Sequence, residues 1–342
     1  SAASDVYKRQ GYNSQIAKYI SSFAAEFQTK YWSNVNVWSC ENTEVEIVVK
    51  KLNSVGRFRK SFKLIYGNGK KMLVSDELIV DSVIRLLHGT KDGMPERFEL
   101  IKILTYLDKS DIPIVKENIM MIELLFYNYI RNDSNLRHFQ LFYGILHNPS
   151  TMLELIKFAW LPENEHAKEI RKEELAKNKN LSVIAMKALE VLHGLEGQPC
   201  ENNNGVVDGE DLKNYIKKLL EIAKSEYLER PAMYIIGKLL GNINLGEDYP
   251  PSYLGEILDE LDKDEIDDEY RRQLFNRHGF TCRAYNEGGT IERSREKMFL
   301  SYAEKTRFTY DRITTVFEKL ASEYHHMGDR EDVNAKLEDF DN

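Results

Sequence analysis

The chain has 342 residues, of which 42% are hydrophobic and 30% charged, and its formal net charge is −8. This balance is typical of an ordinary globular chain of one or two domains, and it excludes a generally basic nucleic-acid binder. Three widely spaced cysteines without a CxxC motif exclude a disulfide framework and a cysteine zinc site, and they favour a reducing cytoplasm.

The first ten residues, SAASDVYKRQ, differ in kind from the rest of the chain. They begin without Met and lack the apolar segment of a signal peptide. Reverse-translated, Asp5–Gln10 resembles the read-through of a transposase-type sequencing adaptor. We therefore expect residues 1–10 to be an adaptor-derived artefact and the rest to be the C-terminal portion of a longer protein. The alternative is a genuine N-terminal tail.

Hydrophobic residues recur with the helical period along most of the chain. The first predicted helix, 14–31, carries Ile16, Phe23 and Tyr31 on one stripe. Two segments, 75–89 and 182–194, end in Leu-His-Gly, which predicts that the histidines meet free carbonyls in a last helical turn. These histidines are His88 and His193. Further helices are predicted at 96–107, 111–131, 135–146, 150–160, 163–178, 209–228, 231–241, 251–261, 264–277, 290–307, 309–327 and 329–339.

The predicted fold is all-α: an elongated, irregular, solenoid-like stack of antiparallel helix pairs, because the gaps between helices are mostly two to eight residues. The ambiguous stretch is 44–66, which fits either a hairpin or two helices, and we favour helices. We place a helical stack at 11–195, a joint in the loop 196–207 and a second helical subdomain at 208–342. The most apolar run, 118–130, contains Glu123 and is shorter than the roughly 20 residues of a membrane span, so we expect no membrane contact.

Charge is unevenly distributed along the chain. Residues 47–75 contain eight bases and no acid, whereas 256–269 contain nine acids and one lysine. The basic segment is a candidate polyanion site whose interleaved aromatic rings fit stacking on single-stranded bases. The alternative that we favour is a solvated face whose aromatic rings point into the core. The candidate residues are Lys50, Lys51, Arg57, Arg59, Lys60, Lys63, Lys70 and Lys71, with Phe58, Phe62 and Tyr66.

The loop CENNNGVVDGEDL, 200–212, resembles a calcium-binding loop with its central glycine. An EF-type site needs a carboxylate at the first position and a bidentate Glu at the twelfth, and the chain has a thiol and the shorter Asp211 there. The same residues fit a helix start better. Asp208 is then the N-cap, Asp211 lies at N3, and Val207 and Leu212 form a hydrophobic staple. We favour the helix start and expect no metal.

Three further groups of residues are candidate sites. His278 and Cys282 are too few for a zinc site, and no third group accompanies them as a nucleophilic pair. The Gly288–Gly289 pair before Thr290 fits either an anion-binding loop or a plain glycine turn with Thr290 as N-cap, and we favour the turn. His325–His326 lie late in a predicted helix, where pairing with its dipole is the favoured interpretation.

Residues 119–340 resemble the C-terminal all-helical region of very long, largely uncharacterised bacterial multidomain proteins. The ordered string that carries the resemblance is IELLFYNYI, LFYGILHNPSTMLELIKFAWLPE, GVVDGEDLKNYI, IIGKLLGNI, DYPPSYLGEILDEL, NEGGTIERSREKMFLSYAEKTRF and EKLASEYHHMGDREDVNAKLED. The resemblance implies an accessory region that accompanies upstream effector modules, and it assigns no catalytic residue.

We therefore expect a non-catalytic helical scaffold or sensor-like interaction region without a cofactor, working in the cytoplasm. Its expected partners are proteins, either other subunits or its own upstream domains, because helix stacks offer concave binding surfaces. The alternative function is binding of nucleic acid or another polyanion through the basic segment. An enzyme is the third hypothesis.

Overall fold

The computed structural model describes residues 12–37, 40–67, 73–88, 95–130, 139–202, 204–246, 250–277 and 287–340. Within these ranges the chain forms seventeen helices. The first eight are α1 (Ser14–Ile20), α2 (Ala25–Asn34), α3 (Val45–Ser54), α4 (Phe58–Gly67), α5 (Asp76–His88), α6 (Arg97–Leu107), α7 (Pro113–Ile130) and α8 (Gln140–His147). The other nine are α9 (Pro149–Ala159), α10 (Glu165–Lys177), α11 (Lys179–His193), α12 (Gly209–Ser225), α13 (Glu229–Gly241), α14 (Ser252–Leu261), α15 (Asp264–Asn276), α16 (Thr290–Thr306) and α17 (Asp311–Phe340).

The all-α class is confirmed. The described residues contain no strand, and the loop before α12 holds an isolated antiparallel β-bridge between Glu201 and Val207. The stretch 44–66 forms the helices α3 and α4, as we favoured. Its apolar residues explain why: Val48 and Leu52, four positions apart on one helical face, are both fully buried.

The chain divides into two compact units, residues 1–143 and 144–342. In the first unit, α4 packs on α3 and α5, and α7 packs on α5 and α6. In the second unit, α9 packs on α11 and α12, α13 packs on α15, and α17 packs on α14, α15 and α16. Within each unit, helices close in sequence are therefore packed in pairs, which agrees with the predicted stack.

The boundary between the units differs from the joint that we expected at 196–207. It falls inside α8, whereas the loop belongs to the second unit. Hydrogen bonds hold this loop: the amide of Cys200 donates to the carbonyl of Leu146 at 3.0 Å, and Asn242 donates to the carbonyl of Leu195 at 3.1 Å. A loop fixed at several points in this way is a packed connection within one unit.

The N-terminal helix predicted at 14–31 is two helices. The turn between α1 and α2 is held by the side chain of Gln28, whose amide donates to the carbonyls of Ser21 and Phe23 at 3.1 and 2.9 Å. Because the turn redirects the chain, the predicted apolar stripe is not buried along its length. Tyr31 is buried, whereas Tyr19 is 68% exposed.

The two helices predicted at 309–327 and 329–339 are the single helix α17. Gly328 lies inside this helix, opposite Gly289 at the start of α16. A Cβ atom added to Gly289 would lie 2.4 Å from the carbonyl oxygen of Gly328. The backbone of Gly328 thus leaves no room for a side chain at Gly289, although glycine in a helix interior costs about 1 kcal/mol relative to Ala. His325–His326 lie within α17 and not at its end, so the interpretation that they pair with a helix terminus is wrong.

Candidate functional site

The loop 200–212 is a capped helix start, as we favoured. Asp208 has extended backbone and its Oδ1 accepts from the amides of Glu210 and Asp211 at 2.9 and 3.0 Å. Leu212 is fully buried and Val207 is half-buried, as expected for the two positions of a staple.

The asparagine that first suggested a calcium ligand organises the loop itself. Oδ1 of Asn202 accepts from the amides of Asn204 and Val206 at 2.9 and 3.1 Å. Gly205 has a φ of +78°, which glycine adopts without strain. The side-chain oxygen that a metal would need is therefore already occupied by backbone N–H groups.

The turn at Gly288–Gly289 meets an anion that belongs to the chain itself. The amide of Gly289 donates to Oδ1 of Asp332 in α17 at 2.7 Å, and Arg293 donates to Oδ2 of the same carboxylate at 3.2 Å. These donors hold the pKa of Asp332 below its ordinary value. The N-cap of α16 is Gly289 and not Thr290, whose hydroxyl donates to the carbonyl of Glu287.

Two of the predicted polyanion-binding bases have structural roles in the first unit. Arg57 donates to the carbonyls of Trp32 and Val35 at the end of α2. Arg59 lies 3.3 Å from Glu99, and both side chains are largely shielded from solvent. These two guanidinium groups therefore bind their own chain.

The lysines of the basic segment differ in their surroundings. Lys50 forms an ion pair with Glu46, one helical turn earlier, at 2.6 Å, and Lys51 is half-buried. Lys63 is exposed. The pKa of Lys60 is lowered by partial burial and by the neighbouring positive charges of Arg57 and Lys63. Lys70–Lys71 lie outside the described residues. Among the described lysines of this segment, Lys50 and Lys63 are therefore the exposed ones.

The aromatic rings of this segment are part of the core of the first unit. Phe62 is fully buried, while Phe58 and Tyr66 are half-buried and pack against the core. The ammonium group of Lys102 lies 4.9 Å from the Tyr66 ring centre, and Phe98 meets the same ring edge-on at 6.1 Å. None of the three is an open stacking platform for a nucleic-acid base.

The histidine predictions have mixed outcomes. His193 lies in the last turn of α11, as predicted, but the carbonyls of Leu192 and His193 accept from the buried ammonium group of Lys238. His88 is the last residue of α5. His278 and Cys282 lie outside the described residues, within which no group of three or more His, Cys, Asp or Glu side chains is arranged for a metal.

A groove that the sequence did not predict lies beside α10, in the second unit. It has a volume of about 300 Å³, and Phe158, Trp160, Ile170 and Leu228 line it. No residue of α10 with a described side chain is buried, and Ile170 is 49% exposed. The lining therefore combines apolar side chains with charged ones from α9 and α10 and with Glu226, which follows α12.

A second groove, of about 440 Å³, adjoins the first and shares Trp160 and Pro162 with it. Its other lining includes Pro231 and Tyr234 from the start of α13. The amide of Glu163 donates to the carbonyl of Tyr227 at 2.8 Å and fixes the turn between α9 and α10. Both volumes fall in the range that ligand-binding clefts occupy.

Trp160, which lines both grooves, belongs to a cluster of three rings. The ring centres of Trp160, His193 and Tyr234 lie 6.1 to 6.5 Å apart, with interplanar angles of 56° to 61°. Sequence reasoning missed this group because its members come from three separate segments. Only the packing of α9, α11 and α13 brings them together.

Comparison with protein-family models finds no match, and neither do comparisons with curated proteins and with solved structures. Over the described residues, the helices are too short or too polar to cross a bilayer.

Proposed function

We propose that the chain is a non-catalytic helical interaction region that binds a segment of a partner protein in the two adjoining grooves around Trp160 and Pro162. The observation that carries the proposal is that apolar and aromatic side chains line the two adjoining grooves together with charged side chains. Interfaces that bind protein segments are built in this way, with aromatic anchors at the centre and polar residues around them. The free thiols of Cys40 and Cys200 support a reducing cytoplasm as its location.

The helical framework supports the same proposal. The helix α10 carries exposed ion pairs such as Lys172–Glu169 and Lys177–Glu173, at 2.7 and 3.2 Å. Because no described side chain of α10 is buried, this helix contributes little to the core. Its residues form one wall of the first groove. A wall held by few core contacts adapts to an incoming segment at low cost.

The test is a selection with peptides displayed on phage, because a library contains helical and extended segments alike. Peptides selected on the wild-type chain are then measured against Trp160→Ala, which removes the ring shared by both grooves. We expect affinity to fall at least about tenfold, since aromatic anchors dominate such interfaces. The matched control is Tyr143→Ala, which removes a ring that is 58% exposed on α8.

A thermal melt of each variant separates lost binding from lost folding. Peptides that bind both variants as tightly as the wild-type chain would place the interaction elsewhere and remove the basis of the proposal. Ile170→Glu and Leu161→Glu then distinguish the first groove from the second, because each residue lines one of them.

Polyanion binding through the basic segment remains the alternative proposal. It is supported by the exposed Lys63 beside Lys60, and it would act through charge alone, because Phe62 is buried. Binding of a single-stranded oligonucleotide should then weaken steeply with salt, and K60E together with K63E should abolish it. Salt-independent binding, or binding that survives both changes, contradicts this alternative.

A further inference from the structure

We propose that the groove lined by Trp160, Pro162, Pro231 and Tyr234 binds an extended, proline-containing peptide that carries acidic residues beside its prolines. This inference rests on the proposed function, because it names the chemistry of the segment that the second groove accepts.

The proline and aromatic rings of the lining favour a polyproline-type occupant. Two proline rings and two aromatic rings form most of the apolar lining of this groove. The Trp160 and Tyr234 rings lie 6.1 Å apart at 61°, edge to face, so they form an angled wall of the groove. Aromatic grooves of this kind bind polyproline II helices, whose own stiffness lowers the entropy lost on binding.

Hydrogen-bonding capacity distinguishes an extended occupant from a helical one. Neither the indole N–H of Trp160 nor the hydroxyl of Tyr234 has a hydrogen-bond partner among the described residues, and neither group is a fully buried polar atom. A polyproline II segment has no internal hydrogen bonds and presents free carbonyls, whereas the carbonyls of an α-helix are bonded internally. The two donors therefore match an extended backbone.

Charge at the edge of the groove selects the flanking residues of the peptide. Two basic side chains, Lys168 and Arg230, line the groove with one acidic side chain, Glu163. Lys168 forms an ion pair with Glu165 at 3.0 Å, while Arg230 has no ion-pair partner among the described residues. An acidic residue next to the prolines would complement Arg230.

The experiment measures fluorescence anisotropy of the labelled peptide EEPPLPPLPEE with the wild-type chain. Its comparison peptide is EEAALAALAEE, which has the same charges and more helical character. We expect the proline peptide to bind about tenfold more tightly, because its bound conformation is preorganised. Tyr234→Phe keeps the ring and removes one donor, so it should weaken binding about fivefold. Trp160→Phe removes the other donor and replaces the indole with a smaller ring, so it should weaken binding by about fivefold or more.

A charge exchange tests the acidic flank. Arg230→Glu should weaken binding of EEPPLPPLPEE about two- to fivefold and strengthen binding of KKPPLPPLPKK. Lys218→Glu, which reverses an exposed charge on α12, is the matched control and should change neither affinity.

Equal affinity for the proline and alanine peptides, or insensitivity to Tyr234→Phe and Arg230→Glu together, overturns the inference. The proposed function is tested separately by the displayed library. If selected peptides depend on Trp160 but lack proline, the inference fails and the proposed function stands. If no selected peptide depends on Trp160, both fail.

Discussion

Glu123 lies in an environment that is unusual for a glutamate. It is 1% exposed within the apolar helix α7, and its two carboxylate oxygens accept from the amides of Gln140 and Leu141 at 3.2 and 2.6 Å. The carboxylate therefore caps the start of α8 from a distant helix. Burial raises the pKa of Glu123 to about 8, and Asp108 adds to the increase, while the two amides oppose it.

The raised pKa predicts how stability depends on pH. The folded chain holds the proton of Glu123 more tightly than the unfolded chain does, whose ordinary value is 4.5. Its contribution is thus fully present below about pH 4.5 and declines as the pH rises, until it is lost above about 8. Glu123→Gln removes this titration, and the free energy of unfolding should then fall less steeply between pH 5 and 8, by at most about 1.4 kcal/mol per pH unit.

Urea denaturation of the wild-type chain and the variant at several pH values measures the difference. Glu77→Gln, which changes an exposed glutamate in α5, is the control and should leave the slope unchanged. Identical slopes for the wild-type chain and Glu123→Gln would show that the buried carboxylate does not titrate in this range.

Asp208 carries a second prediction at the scale of a single residue. Asp208→Ala should cost about 1 kcal/mol of stability because two amides of α12 lose their acceptor. Asp208→Asn keeps an acceptor and should cost much less. Calorimetric titration with calcium should release no heat with any of the three proteins, and tight binding would restore the calcium hypothesis.

At the scale of elements, the close approach of α16 and α17 depends on which residue lacks a side chain. A Cβ atom at Gly289 would meet the backbone of Gly328 at 2.4 to 2.8 Å. A Cβ atom at Gly328 would meet only side-chain atoms of Arg293 and Glu292, at 3.2 to 3.4 Å. The two glycines of one contact therefore differ in what they tolerate.

This asymmetry gives a prediction for two single substitutions. Gly289→Ala should destabilise the chain by about 1 to 3 kcal/mol, because the backbone cannot yield as a side chain can. Gly328→Ala should be nearly neutral, since about 1 kcal/mol of gained helix propensity offsets a small side-chain shift. Thermal unfolding of both variants measures the difference, and equal losses would contradict it.

The positions of most helices could be predicted from the sequence. Apolar periodicity predicted most of them, including α3 and α4, because burial of one face decides helix position. It failed at the turn after α1 and at Gly328, where a side-chain amide and a packed glycine override the local pattern. Likewise, Glu123 was noted only as a charge in an apolar run, because its cap on α8 is a long-range contact.

At the scale of the whole molecule, each compact unit has its own core. We expect Ile103→Ala, which empties a fully buried site in α6, to destabilise the first unit by about 2 to 5 kcal/mol. Hydrogen exchange should then accelerate in α6 and α7 while α13 and α15 stay protected. The reciprocal change, Ile236→Ala, should do the opposite. Equal acceleration in both units would show one cooperative molecule.

The candidate site lay beyond sequence reasoning for a reason that concerns the whole chain. The sequence pointed to the basic segment, because a cluster of basic residues that are close in sequence can be recognised without a structure. Its arginines instead bind carbonyls and Glu99, whereas the grooves arise where α9, α10 and α13 are brought together. Surfaces made by distant segments leave no local pattern in a sequence.

The bond between Gly289 and Asp332 has a consequence for synthesis on the ribosome. The two residues are 43 positions apart, so the amide emerges well before its acceptor. At translation rates of roughly 5 to 20 residues per second, the start of α16 waits about 2 to 9 seconds for its partner. During that interval the amide of Gly289 lacks its carboxylate acceptor, and free backbone amides of this kind bind carboxylates and phosphates.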